Sequence, residues 1–335
     1  MADSTCIPAG VDDPKDELQE LLRTGEYIDR SGVRLVKYDG FWFPVRVFRA
    51  ILSTQKYFKA KHTDIILSTL PKSGTTWLKA LTFAIVNRHL YPTDQSPLLT
   101  SNPHKLVHNF EYGVYLMQEN PDLEQIPNPR IFSTHMPFNV IPDSICKSEC
   151  KIIYICRNPL DQFTSFWNFL LKNDVGKDVD PSAIDVAFGM FCKGYFSFGP
   201  FWDHMLGYWN AHMNNSHKVL FLKYEDLKED TTFYIKKIAE FIGFPFTLEE
   251  ERHGVIKQIS SLCSFENLSD LDVNKTGNTS IFKNSSFFRK GEIGDWINYL
   301  TPQMSERMKE LMKSKLEASG LKFNIMSAAK EDGSA

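Results

Sequence analysis

The stretch DIILSTLPKSGTTWLKAL (64–81) joins a short Ile-rich run to a loop of lysine, serine, glycine and two threonines. A segment follows in which Trp77, Leu81, Ala84 and Ile85 fall on one helical face. Six β-branched and apolar residues are too few for a helix and suit a buried strand. A strand that runs through such a loop into a helix points backbone N–H groups at one spot, where an anion is favoured. Gly74 lets the chain approach that anion closely, while Lys72, Ser73, Thr75 and Thr76 add a charge and three hydroxyls. Yet the lysine precedes the glycine, so no G-x-x-x-x-G-K-[ST] loop can be read. A solvated lysine at an ordinary strand–turn–helix junction is the competing reading, and Trp77 suits either the core or a stack on a purine.

Three further runs have the same strand character: RIFSTH (130–135), KIIYIC (151–156) and KVLFLKY (218–224). Helical spacing follows the third of the four runs in NPLDQFTSFWNFLL, where Pro159 is placed to open a helix. It follows the fourth in EDTTFYIKKIAEFI and TLEEERHGVIKQIS, with Gly243 and Pro245 between them. Strands alternating with helices predict a single α/β domain, a central and mainly parallel sheet flanked by helices. Residues 1–32 are expected to be a flexible lead-in with a short helix over DELQELLR, residues 33–325 the domain, and 326–335 a tail. The polar, aperiodic stretch 268–287 is expected to be a loop and a candidate lid.

Composition sets limits. The 335 residues carry a net charge of −3, with 42% hydrophobic and 24% charged side chains, as in ordinary globular proteins. Nothing global attracts nucleic acid or a membrane, so any anion site must be a local cluster. The polar N-terminus lacks a signal-peptide pattern and no run is long enough for a membrane helix. Six scattered cysteines without paired C-x-x-C spacing predict reduced thiols, a cytoplasmic setting and no metal. The N-x-[ST] triplets at Asn214, Asn267, Asn274, Asn278 and Asn284 then carry no glycan.

Two more clusters suit anions. In CRNPLDQFTSFW (156–167), Arg157 stands at a strand's carboxyl end, where open α/β sheets bind ligands, and Ser165 lies about two helical turns on. A guanidinium grips two oxygens of a phosphate monoester at once. In FFRKGEIGDW (287–296), Arg289 and Lys290 stand beside Gly291, whose backbone can approach an anion. Singly, each reads equally well as solvated charge.

Together and in this order, PKSGTTWLKAL, RNPLDQFTSFW and RKGEIGDW resemble the cytosolic sulfotransferase family, its plant members above all; KYEDL (223–227) and LCSFENL (262–268) match two further family signatures. The resemblance runs from about residue 40 to the C-terminus. It implies a P-loop-like sulfotransferase fold and 3′-phosphoadenosine 5′-phosphosulfate as donor, without a metal. By resemblance, Lys72, Ser73, Gly74, Thr75, Thr76 and Trp77 hold the 5′-phosphosulfate, with Trp77 against the adenine. Arg157 and Ser165, joined by Arg289, Lys290 and Gly291, match the family's 3′-phosphate ligands. Tyr224, Ser264 and Phe265 match positions around the adenosine. His135 in FSTHMPF looks like the family's general base, Lys72 like the group that stabilises charge on the bridging oxygen, and Ser165 like a hydroxyl that holds Lys72 back. His104 and His108 have i, i+4 spacing without a third ligand and are read as structural or pocket-lining.

The chain departs from the family at three points. Ser133 stands where some members have a lysine. Cys263 stands where a threonine is common. In the segment that pairs subunits in animal members, Ile297 and Pro302 replace a lysine and a valine, so a monomer or weak homodimer is expected. The acceptor is expected to be a small hydroxylated metabolite, a flavonoid or other phenolic first, with hydroxyjasmonate, brassinosteroid or desulfoglucosinolate as options. DGFWFP (39–44), MPFNV (136–140) and GYFSFGPFW (194–202) are expected near its pocket. Two rival readings remain at this point: a nucleotide-dependent phosphotransferase with a divergent P-loop, and a catalytically silent nucleotide binder.

Overall fold

A computed structural model describes residues 19–23, 25–30, 33–173 and 183–325. Tyr27–Arg30 (β1), Val33–Tyr38 (β2) and Phe41–Pro44 (β3) form an antiparallel meander, so part of the expected lead-in is a strand. Asp39 and Gly40 turn β2 into β3, both with positive φ (47° and 80°), the hairpin geometry that Asp-Gly pairs favour. Of the helix expected over DELQELLR, residues 19–23 are helical and the rest lies outside the described residues, as does the tail 326–335.

Val45–Tyr57 (α1) leads to the main sheet, whose five parallel strands are Ile65–Thr69 (β4), His108–Asn109 (β5), Ile131–Thr134 (β6), Lys151–Cys156 (β7) and Val219–Lys223 (β8). Their spatial order is β5-β6-β4-β7-β8, with Ile65 beside Ile131 on one side and Lys151 on the other. The four strands expected from the sequence are present; two-residue β5 was not foreseen. Both sheet faces are buried, which is why the runs are apolar without alternation. Ile66, Phe132, Ile152 and Tyr154 enter one core, Ile65, Leu67, Ile153, Ile155 and Leu222 the other.

Thr75–Asn87 (α2) packs over the second core with Thr231–Phe241 and Val255–Leu262. Pro159–Lys172 (α3) and Phe201–Asn214 (α4) pack on the first, and Pro159 opens α3 as its proline predicts. The helix expected over TLEEERHGVIKQIS breaks at His253–Gly254, because Gly254 turns left-handed (φ 71°).

One buried ion pair joins two strands at their amino ends. Arg130 donates to both carboxylate oxygens of Asp64 (2.8 and 2.6 Å) and is stacked over Phe58 and Phe132. Both residues are about fully buried. Asp64→Ala leaves a buried guanidinium without its counter-charge, and we expect it to lower stability by about 3–5 kcal/mol. Urea unfolding measures this; a loss below about 1 kcal/mol would mean that the pair is dispensable.

Stretch 268–287 is not the open loop expected. Helical turns over Phe265–Asp270 and Asp272–Lys275 lead to a ribbon of Asn278–Thr279 (β9) and Phe282–Lys283 (β10). Its polar residues do the work that apolar ones do elsewhere. Buried Asn284 donates to the carbonyls of Val273 and Thr276, and buried Asn274 to that of Leu268. Side chains that satisfy turn backbones leave no hydrophobic period to read.

Candidate active site

The four loops that leave the carboxyl ends of β4, β6, β7 and β8 converge on one cavity of about 870 Å³, a size suited to small molecules. Lys72, Gly74, Thr75, Thr76 and Trp77 reach it from β4, His135 from β6, Arg157 and Ser165 from β7 and α3, and Tyr224 from β8. Phe265, Arg289, Lys290 and Gly291 close it. Of the fifteen residues singled out in the sequence, Ser73 and Ser264 do not line it. Ser73 is buried under the loop, and Ser264 caps the helix Phe265–Asp270 by accepting from the Asn267 N–H (3.1 Å).

The β4 loop is held open by its backbone. Lys72 has φ 69°, rare for a residue with a side chain, and Gly74, with φ 107°, starts α2. A Cβ at Gly74 would come within 2.8 Å of the Tyr224 ring, and one at Gly291 within 2.6 Å of the Phe265 ring. Only glycine fits at either place. The three hydroxyls are not equivalent. Thr75 is bonded to Thr69 Oγ1 (2.7 Å) and Thr76 to His104 Nε2 (2.9 Å), while Ser73 Oγ is buried without a partner.

Donors without acceptors recur around the far wall. Arg157 donates through Nη2 to the Glu292 carbonyl and lies over the Tyr224 ring, but its buried Nε is unpartnered. Arg289 and Lys290 share the buried carboxylate of Asp295, and Arg289 Nε is also unpartnered, as is Trp77 Nε1. Asp161, buried at the start of α3, accepts from the N–H groups of Gly294 and Trp296 and so fixes this loop. Buried donors left without acceptors are costly unless a ligand supplies them. Eight cations but no carboxylate line the cavity among the described residues, including Lys105 and Lys228, which the sequence reading missed.

His135 is clamped on both sides. Glu111 Oε1 accepts its N–H (2.9 Å), and His204 Nε2 donates to its carbonyl (2.9 Å). Its ring Nδ1 lies 2.7 Å from the Thr69 carbonyl, which can only accept, so Nδ1 carries the proton and Nε2 keeps a lone pair. Burial, with Lys79 and Lys72 nearby, lowers its pKa to about 4 and keeps it neutral. Burial, then Arg157, Arg289 and Lys172, lowers Lys72 to about 7. Lys72 donates to the Ser286 carbonyl (3.2 Å) over the Phe169 ring, so Ser165 is not its partner in this state.

The aromatic stretches lie close behind the acceptor wall and do not form its surface: Phe198 packs on His135 and Tyr112, and Phe196 on Phe166. Phe41, Trp42, Phe43, Phe196, Phe198, Phe201, Met136 and Val140 are buried in the core, and only Pro44 and Ser197 of those three stretches line the cavity. All of β3 is buried because both its faces are covered, by α1 and by the 194–202 loop. The wall is built instead by Tyr112, Leu116, Phe166, Phe169, Ile281 and Phe282. The β9–β10 ribbon supplies two of these, and no periodic signal marked it. His104 and His108 both face the cavity, but His108 lies on β5, so their helical spacing does not pair them.

Ser133 is buried, with its hydroxyl near the His108 carbonyl. The departed pairing segment has a local use: Thr301 caps the helix Pro302–Leu316, with Pro302 as its first residue, while Ile297 is exposed. The described cysteines are all free. Among the described residues no helix is long and apolar enough to cross a membrane, and no group of three or more His, Cys, Asp or Glu is placed to hold a metal ion.

A parallel sheet with anion-suited loops at the carboxyl ends of adjacent strands is an α/β fold of the P-loop-like, phosphate-binding kind. Residues 62–320 match the sulfotransferase domain family, so the chain belongs to the sulfotransferase family and is a sulfotransferase. It is 49% identical over 297 residues to cytosolic sulfotransferase 15 of Arabidopsis thaliana, covering 87% of this chain and 82% of that one. Its fold matches the crystal structure of a putative steroid sulphotransferase of Arabidopsis thaliana (TM-score 0.74, 38% identity, 95% of this chain and all of that one). It also matches a mouse sulfotransferase complexed with PAP (TM-score 0.67, 28% identity, 85% of this chain and 96% of that one).

Proposed function

We propose that this protein transfers a sulfuryl group from 3′-phosphoadenosine 5′-phosphosulfate to a hydroxyl of a small, largely apolar metabolite in the cytosol, with flavonoids and other phenolics as the first acceptors to try. The observation that carries it is the division of one cavity into two walls. Unpartnered buried donors and cations line one, and apolar rings around a neutral histidine line the other. The donor fits the first wall: Arg157, Arg289, Lys290 and Gly291 meet the 3′-phosphate, Trp77, Tyr224 and Phe265 surround the base and sugar, and Gly74 to Thr76 meet the 5′ end. When bound it supplies the sulfuryl group and a bisphosphate leaving group. His135 Nε2 accepts the acceptor's proton as that oxygen attacks sulfur. Lys72, as its ammonium, donates to the bridging oxygen where charge grows. Thr69 links the histidine to the donor loop, since its carbonyl orients His135 and its hydroxyl holds Thr75.

A magnesium-dependent phosphotransferase is less well supported. The loop after β7 offers Arg157 and Asn158 where a metal-holding carboxylate would be needed, and Asp161 is engaged with backbone N–H groups. Thermal shift separates the readings. Adenosine 3′,5′-bisphosphate at 100 times its Kd should stabilise the fold by roughly 2.7 kcal/mol, while ATP–magnesium should add little. The reverse pattern would overturn the donor assignment. Arg289→Ala should weaken the bisphosphate about 10- to 100-fold, as losing a charge-assisted bond does, and ADP much less. Equal weakening of both would remove Arg289 from the 3′-phosphate.

A further inference from the structure

Lys79 is a lysine where packing calls for an apolar side chain. It lies on the buried face of α2 between Leu78 and Ala80, fully shielded from solvent, yet among the described residues no carboxylate forms an ion pair with it. Lysines are almost never buried in this way unless a partner compensates them. Its two partners are the Val107 carbonyl at 3.0 Å, which accepts, and His104 Nδ1 at 3.1 Å, which must accept when the lysine is an ammonium. His104 is neutral, its pKa held well below the ordinary value by burial, then by the charges of Lys79 and Lys72. A neutral imidazole has one N–H. If Nδ1 accepts from the Lys79 ammonium, the proton is on Nε2, which lies 2.9 Å from Thr76 Oγ1. The threonine oxygen then accepts, and its own O–H is released toward the cavity that Thr76 lines. Phe287 stacks on the His104 ring (4.0 Å between centroids, planes 24° apart) and holds its plane. Burial lowers Lys79 to about 7, against which the charge of Glu111 favours the ammonium; a bound anion would favour it further.

We propose that Lys79 is a positioning residue of the donor site: through His104 it fixes the Thr76 hydroxyl as a donor aimed at the anionic 5′ end of the nucleotide. The inference rests on the donor reading above and extends it to two residues: His104, which bonds the loop at Thr76, and Lys79, which bonds His104. It also assigns opposite tautomers to two histidines of one cavity, Nε2–H for His104 and Nδ1–H for His135.

Two measurements test it. Nitrogen-15 correlation spectra of histidine-labelled, ligand-free protein, with His104 assigned by its loss in His104→Gln, should show the Nε2–H tautomer. An Nδ1–H tautomer or an imidazolium overturns the relay whatever the protein binds. A double-mutant cycle then reads the Kd of adenosine 3′,5′-bisphosphate. Lys79→Met and Thr76→Val should each raise it about tenfold, the scale of one charge-assisted bond, and the double variant no further. Effects that multiply, or a Lys79→Met variant with lowered Tm but unchanged Kd, would reduce Lys79 to a structural residue. If Lys79→Met does not fold, His104→Phe, which keeps the stack on Phe287, should give the same loss, and an unchanged Kd there overturns the proposal. Wild-type protein that is not stabilised by the bisphosphate would overturn the donor reading itself, a result distinct from a wrong tautomer.

Discussion

Replacing His135 by alanine is expected to lower the transfer rate by about two to four orders of magnitude, the range that a positioned general base supplies. The Kd of adenosine 3′,5′-bisphosphate should stay near the wild-type value, because the unpartnered donors of Arg157, Arg289 and Trp77 lie on the other wall. The pH profile sharpens the test. His135 is lowered to about 4 by burial, so its base form is present at every pH above that. The acid limb of kcat/KM, which reports the ligand-free enzyme, should therefore fall well below 6.5, where an ordinary histidine would put it. Single-turnover rates and bisphosphate titration of wild type and His135→Ala decide the matter. Equal loss of rate and affinity would make His135 a structural residue, and an acid limb near 6.5 would mean that the base is exposed.

Lys72→Met is expected to lower kcat by about 10²- to 10³-fold, the cost of removing one preorganised donor to a developing charge. Nucleotide affinity should fall much less, since the other cations of the wall remain. Proton linkage offers a second readout. In the ligand-free protein Lys72 is lowered to about 7, so near that pH it is partly deprotonated. An anionic nucleotide favours the ammonium, so binding at pH 7 to 8 should take up protons, and affinity should rise as pH falls through this window. Calorimetry in buffers of different ionisation enthalpy measures the uptake. Lys72→Met should remove its share and leave that of Lys79, which is lowered to a similar value. Unchanged kcat would show that the charge is stabilised elsewhere. Unchanged proton uptake would show that Lys72 stays charged throughout.

Much of the site was legible before any coordinates. The anion loop and the strand-end arginine are local patterns: a strand run, a breaker and a basic residue lie within a dozen positions, and backbone geometry sends them to the carboxyl edge of the sheet. Arg289–Gly291 follows no strand of that sheet and was legible only as two cations beside a glycine. The linear chain could not show who faces whom. Thr76 and His104 are 28 residues apart, yet their side chains meet at 2.9 Å. Lys79 looks like any solvated helical lysine until α2 is laid on the sheet and its amine is left inside. The aromatic stretches misled for the same reason: DGFWFP is rich in rings, but α1 and the 194–202 loop cover both faces of β3 and take them into the core.

The sequence by itself determined the fold class, the strand runs, the helix opened by Pro159 and the family, because each depends on short-range pattern or on ordered motifs. Tertiary structure alone decided which hydroxyls of the loop are free, which histidine nitrogen holds its proton, and which rings face the cavity. Those depend on desolvation and on hydrogen bonds between residues far apart in the chain, such as Thr69 with His135 and Lys79 with His104. Such contacts exist only once the sheet has placed the loops of β4, β6, β7 and β8 side by side.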